Sequence, residues 1–204
     1  MNMLRTLAKR GIQELGYHVE RDTSRRQTTA NQLGLLLQRF RIDFLFDVGA
    51  STGQYASRLF KSGFSGRVVS FEPLPDSHAT LVEHAAAEPR WDVAPRMALG
   101  PENGTVQFNV AANRHSSSVL NMLPRHTQAA PKSAMERTID VDQRRLDQLE
   151  PPFVPAPHER PFIKMDVQGF EMSVLEGASG ILDAVLGMQL EMSLVALYEE
   201  QPLM

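Results

Sequence analysis

The residues best suited to chemistry lie in one short stretch, Asp47-Val-Gly-Ala-Ser-Thr-Gly53, between an apolar run and a helical pattern. Gly49 permits a tight turn and a close approach of the backbone to a ligand. Gly53 stands where a helix begins, and the free N–H groups there suit a carboxylate or phosphate. A purely structural turn would use the same two glycines. Glu72 separates the two readings. It ends the next apolar run, 25 residues after Asp47. An acid there can accept hydrogen bonds from both hydroxyls of a ribose, whereas alone it would be an ordinary solvated strand end. Together the turn and the acid point to a nucleoside site.

The spacing narrows the nucleoside. A dinucleotide turn reads G-x-G-x-x-G, but here it is G-x-x-x-G, with Ser51 in place of the second glycine. The close approach that a pyrophosphate needs is partly lost. A cofactor without phosphate fits better, and S-adenosylmethionine has a ribose, an adenine and an amino-acid end. Asp47, beside the turn, is placed to pair with the ammonium of that end.

The elements that must hold these residues are legible from periodicity. Leu4, Leu7, Ala8, Gly11 and Leu15 follow helical spacing, as do Leu33, Leu36, Leu37 and Phe40 with Thr28 or Thr29 as cap; RDTSRRQTT between them reads as a loop. IDFLFDV and RVVSFEP read as buried parallel strands, each followed by a helix: QYASRLFKSGF ending at Gly63, then Pro75 to Ala87. WDVAPRMALG reads as a third, weaker strand. GTVQFNVAA and RTIDVD alternate as half-exposed strands, joined by a long polar connection over 113–136. PPFVPAPHERP is an extended spacer before the strand PFIKMDVQG, the helix FEMSVLEGASGIL and a last strand in VLGMQLEMSLV. Strands alternating with helices imply a mostly parallel, doubly wound α/β sheet. Its ligand site lies beyond the carboxyl ends of the strands, which directs attention to Asp47, Gly49, Glu72, Leu99, Asp166 and Glu191.

The remaining chemistry-bearing groups are weaker signals. His158 lies in the spacer, at the end of the sheet away from the site. His78 and His84 fall on a helix and His18 lies outside the core. His115 and His126 belong to the long connection, where His115 adjoins Ser116-Ser117-Ser118. Asp166, Glu171 and Glu191 are oxygen donors of the kind a divalent cation takes, although an acid in the first turn of a helix is stabilising by itself.

Composition bounds the class. The 204 residues are 42% hydrophobic and 22% charged, which suits one domain with one core and a short appendage. Zero cysteines exclude disulfides, Cys-ligated zinc and a thiol nucleophile. The net charge of −3 gives no general basic field for nucleic acid. Charge is uneven: residues 1–41 carry +5, leaving −8 for the remainder. That basic segment reads as solvated helix faces, or as an arm for an anionic lipid surface or lipid-linked substrate. No apolar run has the length of a membrane span. The N-terminus lacks the apolar stretch of a signal peptide, so a cytoplasmic location is the expectation.

DVGASTGQYASRLF, VVSFEPLPDSHATL, MALGPENGTVQFNV, HSSSVL and PFIKMDVQGFEMSVLEGA resemble, in order, the FkbM-type S-adenosylmethionine-dependent methyltransferases. The resemblance runs from about residue 44 to 193, leaving the first 41 residues as a basic helical appendage to a domain over 42–204. It implies a Rossmann-like class I methyltransferase fold and methylation of a hydroxyl on a sugar, glycolipid or polyketide. It also implies roles for residues. Asp47, Gly49, Ala50, Gly53 and Tyr55 would form the methionine-side loop. Glu72 would hold the ribose with Pro73 and Leu74 beside it, and Ala98 and Leu99 would flank the adenine. Asp166 would lie near the transferred methyl group, with His115 as a candidate base. Two departures stand out. Gln168 occupies a position where the family usually has an acid. Folds of this kind also continue past the LEMS strand, so roughly 35–45 further residues are expected on ordinary element lengths. The LEMS strand would then be an open edge that invites self-association. The rival expectations are a catalytically impaired cofactor-binding remnant and a nicotinamide-dependent oxidoreductase.

Overall fold

The computed structural model describes residues 24–203, with side chains from residue 32 onward. The helix expected at the extreme N-terminus, most of the basic arm and His18 lie outside the described residues.

The main sheet has five parallel strands in the order β3-β2-β1-β7-β8. They are β1 (Phe44–Val48), β2 (Arg67–Phe71), β3 (Trp91–Val93), β7 (Pro161–Met165) and β8 (Gly187–Leu190). The chain starts in the middle, winds outward through β2 and β3, and returns to the other side of β1 at β7. That leaves a switch point between β1 and β7, where the strand ends open a crevice. β1 and β7 are buried along their whole length, as strands covered on both faces must be.

Alternation along β1 sends its residues to two cores. Phe44, Phe46 and Val48 join Phe71, Ile163 and Met165 on one face, under α5 (Glu171–Gly177). Leu45 joins Val68 and Phe162 on the other. There α1 (Ser24–Arg39), α2 (Gln54–Lys61) and α3 (Pro75–Ala85) pack down through Leu37, Ala56, Leu59 and Leu81. Pro75 opens α3, where its missing N–H costs nothing. Leu37 is buried in this cluster, whereas Leu36 and Phe40 of the same expected stripe are about half exposed.

A smaller sheet, β4-β6-β5, stands beside the strand ends. It comprises β4 (Ala98–Leu99), β5 (Gly104–Ala111) and β6 (Met135–Arg144), with β5 and β6 antiparallel. Phe108, Val110 and Val141 pack with Leu74 and Ala98 into a third core, which ties this sheet to the loop after β2.

Several expectations are corrected. Residues 91–100 form two strands in different sheets, not one. The break falls at Pro95, which has no N–H to give to a ladder. Helix α1 begins at Ser24, ahead of the expected Thr28 or Thr29 cap, and takes in residues read as loop. The connection over 113–136 is ordered: it contains α4 (Pro124–Ala129) and a short 3-10 turn at Pro131–Ser133 before β6 begins at Met135. The helix after β7 is only seven residues long, and the last strand is four. Among the described residues no helix is long and apolar enough to cross a membrane.

Candidate functional site

The turn after β1 owes its shape to crowding. Gly49 has φ 72°, and a Cβ there would lie 2.0 Å from the Asp166 carbonyl oxygen, so only glycine fits between β1 and β7. Gly53 has φ 84° and is constrained less tightly, by the Trp91 ring and Leu81. It therefore seats α2 on the core, away from the cleft.

Beneath the turn runs a buried polar ladder across four strands. Trp91 Nε1 donates to Ser70 Oγ at 2.9 Å, and Ser70 Oγ donates to Asp47 Oδ2 at 3.2 Å. Asp47 is opposite Lys164 in the register, and Lys164 Nζ lies 3.0 Å from Asp47 Oδ1. The contact is an ion pair without hydrogen-bond alignment. Lys164 instead aims its N–H at the Gly49 carbonyl, 3.0 Å away. Asp47 has no exposed surface. It lies on the same face of β1 as Leu45, the face covered by α1, α2 and α3, and its partner there is Lys164. Tyr55 covers the lysine, its ring centroid 5.3 Å from Nζ, and its hydroxyl donates to Gln189 Oε1. Burial and the nearby Asp47 charge push the Tyr55 phenol well above its usual range.

Glu72 ends β2 at the mouth of the crevice. Its Oε2 accepts from the Ser51 N–H at 2.8 Å and its Oε1 from the Leu74 N–H at 2.9 Å. Burial nevertheless pushes this carboxyl up to about 7, against the two backbone donors that favour its anion.

These elements enclose a cleft of about 350 Å³ at the carboxyl ends of β1, β2 and β7. That volume is in the range of small-molecule and cofactor sites. Glu72 and Pro73 line one end, Gly49 lies at the junction with Asp166, and Leu74, Ala98, Leu99 and Phe108 make an apolar wall. Asp166, Gln168 and Glu191 line the other end, facing Arg114, His115, Ser116 and Ser117 from the long connection. Of the expected site residues, Gly49, Glu72, Pro73, Leu74, Ala98, Leu99, His115 and Asp166 come together here. Asp47, Ala50, Gly53 and Tyr55 do not line the cleft.

The three serines serve the loop itself. Ser117 Oγ accepts from the Ala111 N–H, Ser116 Oγ from Asn113 Nδ2, and Ser118 Oγ donates to the Gln168 carbonyl. Glu171 takes the Val167 and Gly169 N–H groups on Oε1 and so caps the turn after β7. Burial raises its carboxyl. The neighbouring Asp166 carboxyl pushes Glu191 up to about 7. Among the described residues no three His, Cys, Asp or Glu side chains are grouped to hold a metal ion. His78 and His84 hydrogen-bond the Ala94 and Thr52 carbonyls. His158 is exposed, and His126 is buried edge-on against Tyr198.

Lys164, Phe108, Arg114 and Tyr198 are absent from the expectations. Lys164 carried a signal, since a lysine inside the apolar run PFIKM must find a buried partner. The others are brought in by contacts remote in sequence.

Two comparisons bear on this geometry. The family profile described as "Methyltransferase FkbM domain" matches residues 47–204. Hexuronic acid methyltransferase AglP from Haloferax volcanii is 29% identical over 146 residues, covering 70% of this chain and 53% of that protein. The chain thus spans about half the length of that relative.

Proposed function

The chain belongs to the FkbM methyltransferase family, and from that premise we propose that it methylates a hydroxyl oxygen of a sugar-containing or natural-product small molecule, using S-adenosylmethionine. The observation that carries the reading is the convergence of three features on one cleft: the Gly49 turn, the Glu72 carboxylate and the Asp166 strand end. The residues fit the cofactor. Glu72 is a carboxylate with acceptor capacity for ribose hydroxyls. Leu74, Ala98, Leu99 and Phe108 give an apolar slot for a purine. The missing Cβ at Gly49 keeps the backbone open to the amino-acid end.

When bound, S-adenosylmethionine supplies an electrophilic methyl group on a sulfonium. The chain's own residues orient the acceptor oxygen in line with it and receive the proton. Asp166 is the residue we assign to that proton, with His115 on the facing loop as a second candidate. Alignment of the acceptor within the cleft supplies much of the acceleration. The hexuronic acid relative supports a sugar acceptor.

Transfer of labelled methyl from S-adenosylmethionine to a panel of uronic-acid and neutral glycosides tests the reading. The expected product carries one O-methyl group, and Asp166→Asn lowers its rate by about 100-fold or more. Cofactor binding without turnover on any hydroxylated acceptor would instead favour a catalytically impaired remnant.

A further inference from the structure

Gln168 is the position at which the sequence departs from the usual acid, and the structure gives the amide a specific task. Its backbone is left-handed, with φ 55°, and the Ser118 hydroxyl holds its carbonyl at 2.9 Å. Its side chain lies between two groups. Nε2 donates to Asp166 Oδ1 at 2.8 Å, and Oε1 accepts from the Tyr198 hydroxyl at 3.1 Å. Tyr198 is 1% exposed, and its one hydroxyl proton is shared between Gln168 Oε1 and the Ser116 carbonyl, the latter at 2.9 Å. The acceptor-only carboxylate of Asp166 takes the amide's N–H₂ and leaves Oε1 toward the phenol. An amide can accept from Tyr198 and donate to a carboxylate at the same time, whereas an ionised acid has no proton to give.

Tyr198 comes from the C-terminal segment, which is stitched to the connection before β6. The Leu123 N–H donates to the Leu197 carbonyl, the Glu199 N–H to the Asn121 carbonyl, and Asn121 Nδ2 to Glu199 Oε2. One relay therefore joins three remote pieces of chain to one carboxylate at the end of β7.

We propose that Gln168 is a positioning residue: locked by Tyr198, its amide fixes the Asp166 carboxyl as the proton acceptor at the reacting end of the cleft. This rests on the methyl-transfer reading above. The titratable neighbours of Asp166 are Glu191 and Glu171, with Lys164 behind the strand, Tyr198 beyond the amide, and Arg114 and His115 across the cleft. The neighbouring Asp166 raises the Glu191 carboxyl, and the amide lowers the cost of holding two carboxylates side by side. Losing it makes the Glu191 proton leave at higher pH.

Carbon-13 carboxyl titration by NMR of the protein without cofactor reads this directly. The Glu191 carboxyl should titrate near pH 7 in the wild type. Gln168→Leu should move that midpoint up by about one pH unit, and Gln168→Glu further, because a third carboxylate then adjoins the pair. Tyr198→Phe, which keeps the ring and its packing, should give a smaller rise in the same direction. A purely structural Gln168 would leave the midpoint in place. Unchanged midpoints in folded Gln168→Leu and Tyr198→Phe proteins would overturn the proposal. Because the titration uses no cofactor, its outcome is independent of S-adenosylhomocysteine binding, which tests the methyltransferase reading separately.

Discussion

The two ends of the cleft are built by opposite means. At the Glu72 end, residues close in sequence and adjacent strands do the work: a turn shaped by Gly49, a carboxylate held by Ser51 and Leu74, and the Asp47–Lys164 pair in register below. At the Asp166 end, order comes from side chains that meet across long separations. Ser118 reaches Gln168, and Tyr198 reaches both Ser116 and Gln168. The first end is built between neighbouring parallel strands of the main sheet, β2, β1 and β7. The second forms only when the small sheet, the connection before β6 and the C-terminal segment have all docked. Damage at the first end should therefore cost folding. Damage at the second should cost local order and chemistry.

The largest expected effect breaks the ladder under the turn. Lys164→Met leaves Asp47 buried without its cation and should destabilise by about 3–5 kcal/mol in urea unfolding. The Asp47→Asn/Lys164→Met double variant should recover much of that loss. A single-variant loss below about 1 kcal/mol would mean that the pair does not brace the turn.

Next is Gly49→Ala. Its Cβ would meet the Asp166 carbonyl, and its positive φ adds strain, so a loss of about 2–4 kcal/mol is expected. Full stability would show that the junction of β1 and β7 is looser than its contacts indicate.

The pH dependence of stability sharpens the comparison. Glu72 is raised from 4.5 to about 7 in the folded chain. Its stabilising share is full below the unfolded value and disappears as pH rises through about 7. Glu191 acts in the same sense, but it is exposed and more screened by solvent. Thermal melts of the cofactor-free protein should thus show stability falling between about pH 4.5 and 7, with most of that slope absent in Glu72→Gln. An equal slope in the variant would remove Glu72 as its source.

The smallest effect belongs to the second end. Ser118→Ala removes the hydroxyl that ties the connection to Gln168 and should cost about 0.5–1.5 kcal/mol. Hydrogen exchange should quicken around 114–121 while β1 and β2 stay protected.

The same contrast explains what the sequence disclosed. Five consecutive buried residues in β1, and the same in β7, leave a plain apolar run, and the alternation with helices fixes a parallel sheet. Gly49, Glu72 and Asp166 were legible because strand ends are where such sheets bind ligands. Asp47 was legible as an important acid, but the face it points to depends on the register with β7, which pairs it with Lys164. The split of residues 91–100 between two sheets was hidden because each piece is only two or three residues long. Tyr198 gave no local sign of its role, since its partners lie 30 and 82 residues away.

Calorimetric titration of S-adenosylhomocysteine into the 204-residue chain, with NAD as control, tests the cofactor assignment most directly. Saturable binding of S-adenosylhomocysteine alone is expected, weakened by about 1.5–3 kcal/mol in Glu72→Ala as for a lost charged hydrogen bond. Equal affinity in wild type and Glu72→Ala, or binding of NAD in its place, would contradict it.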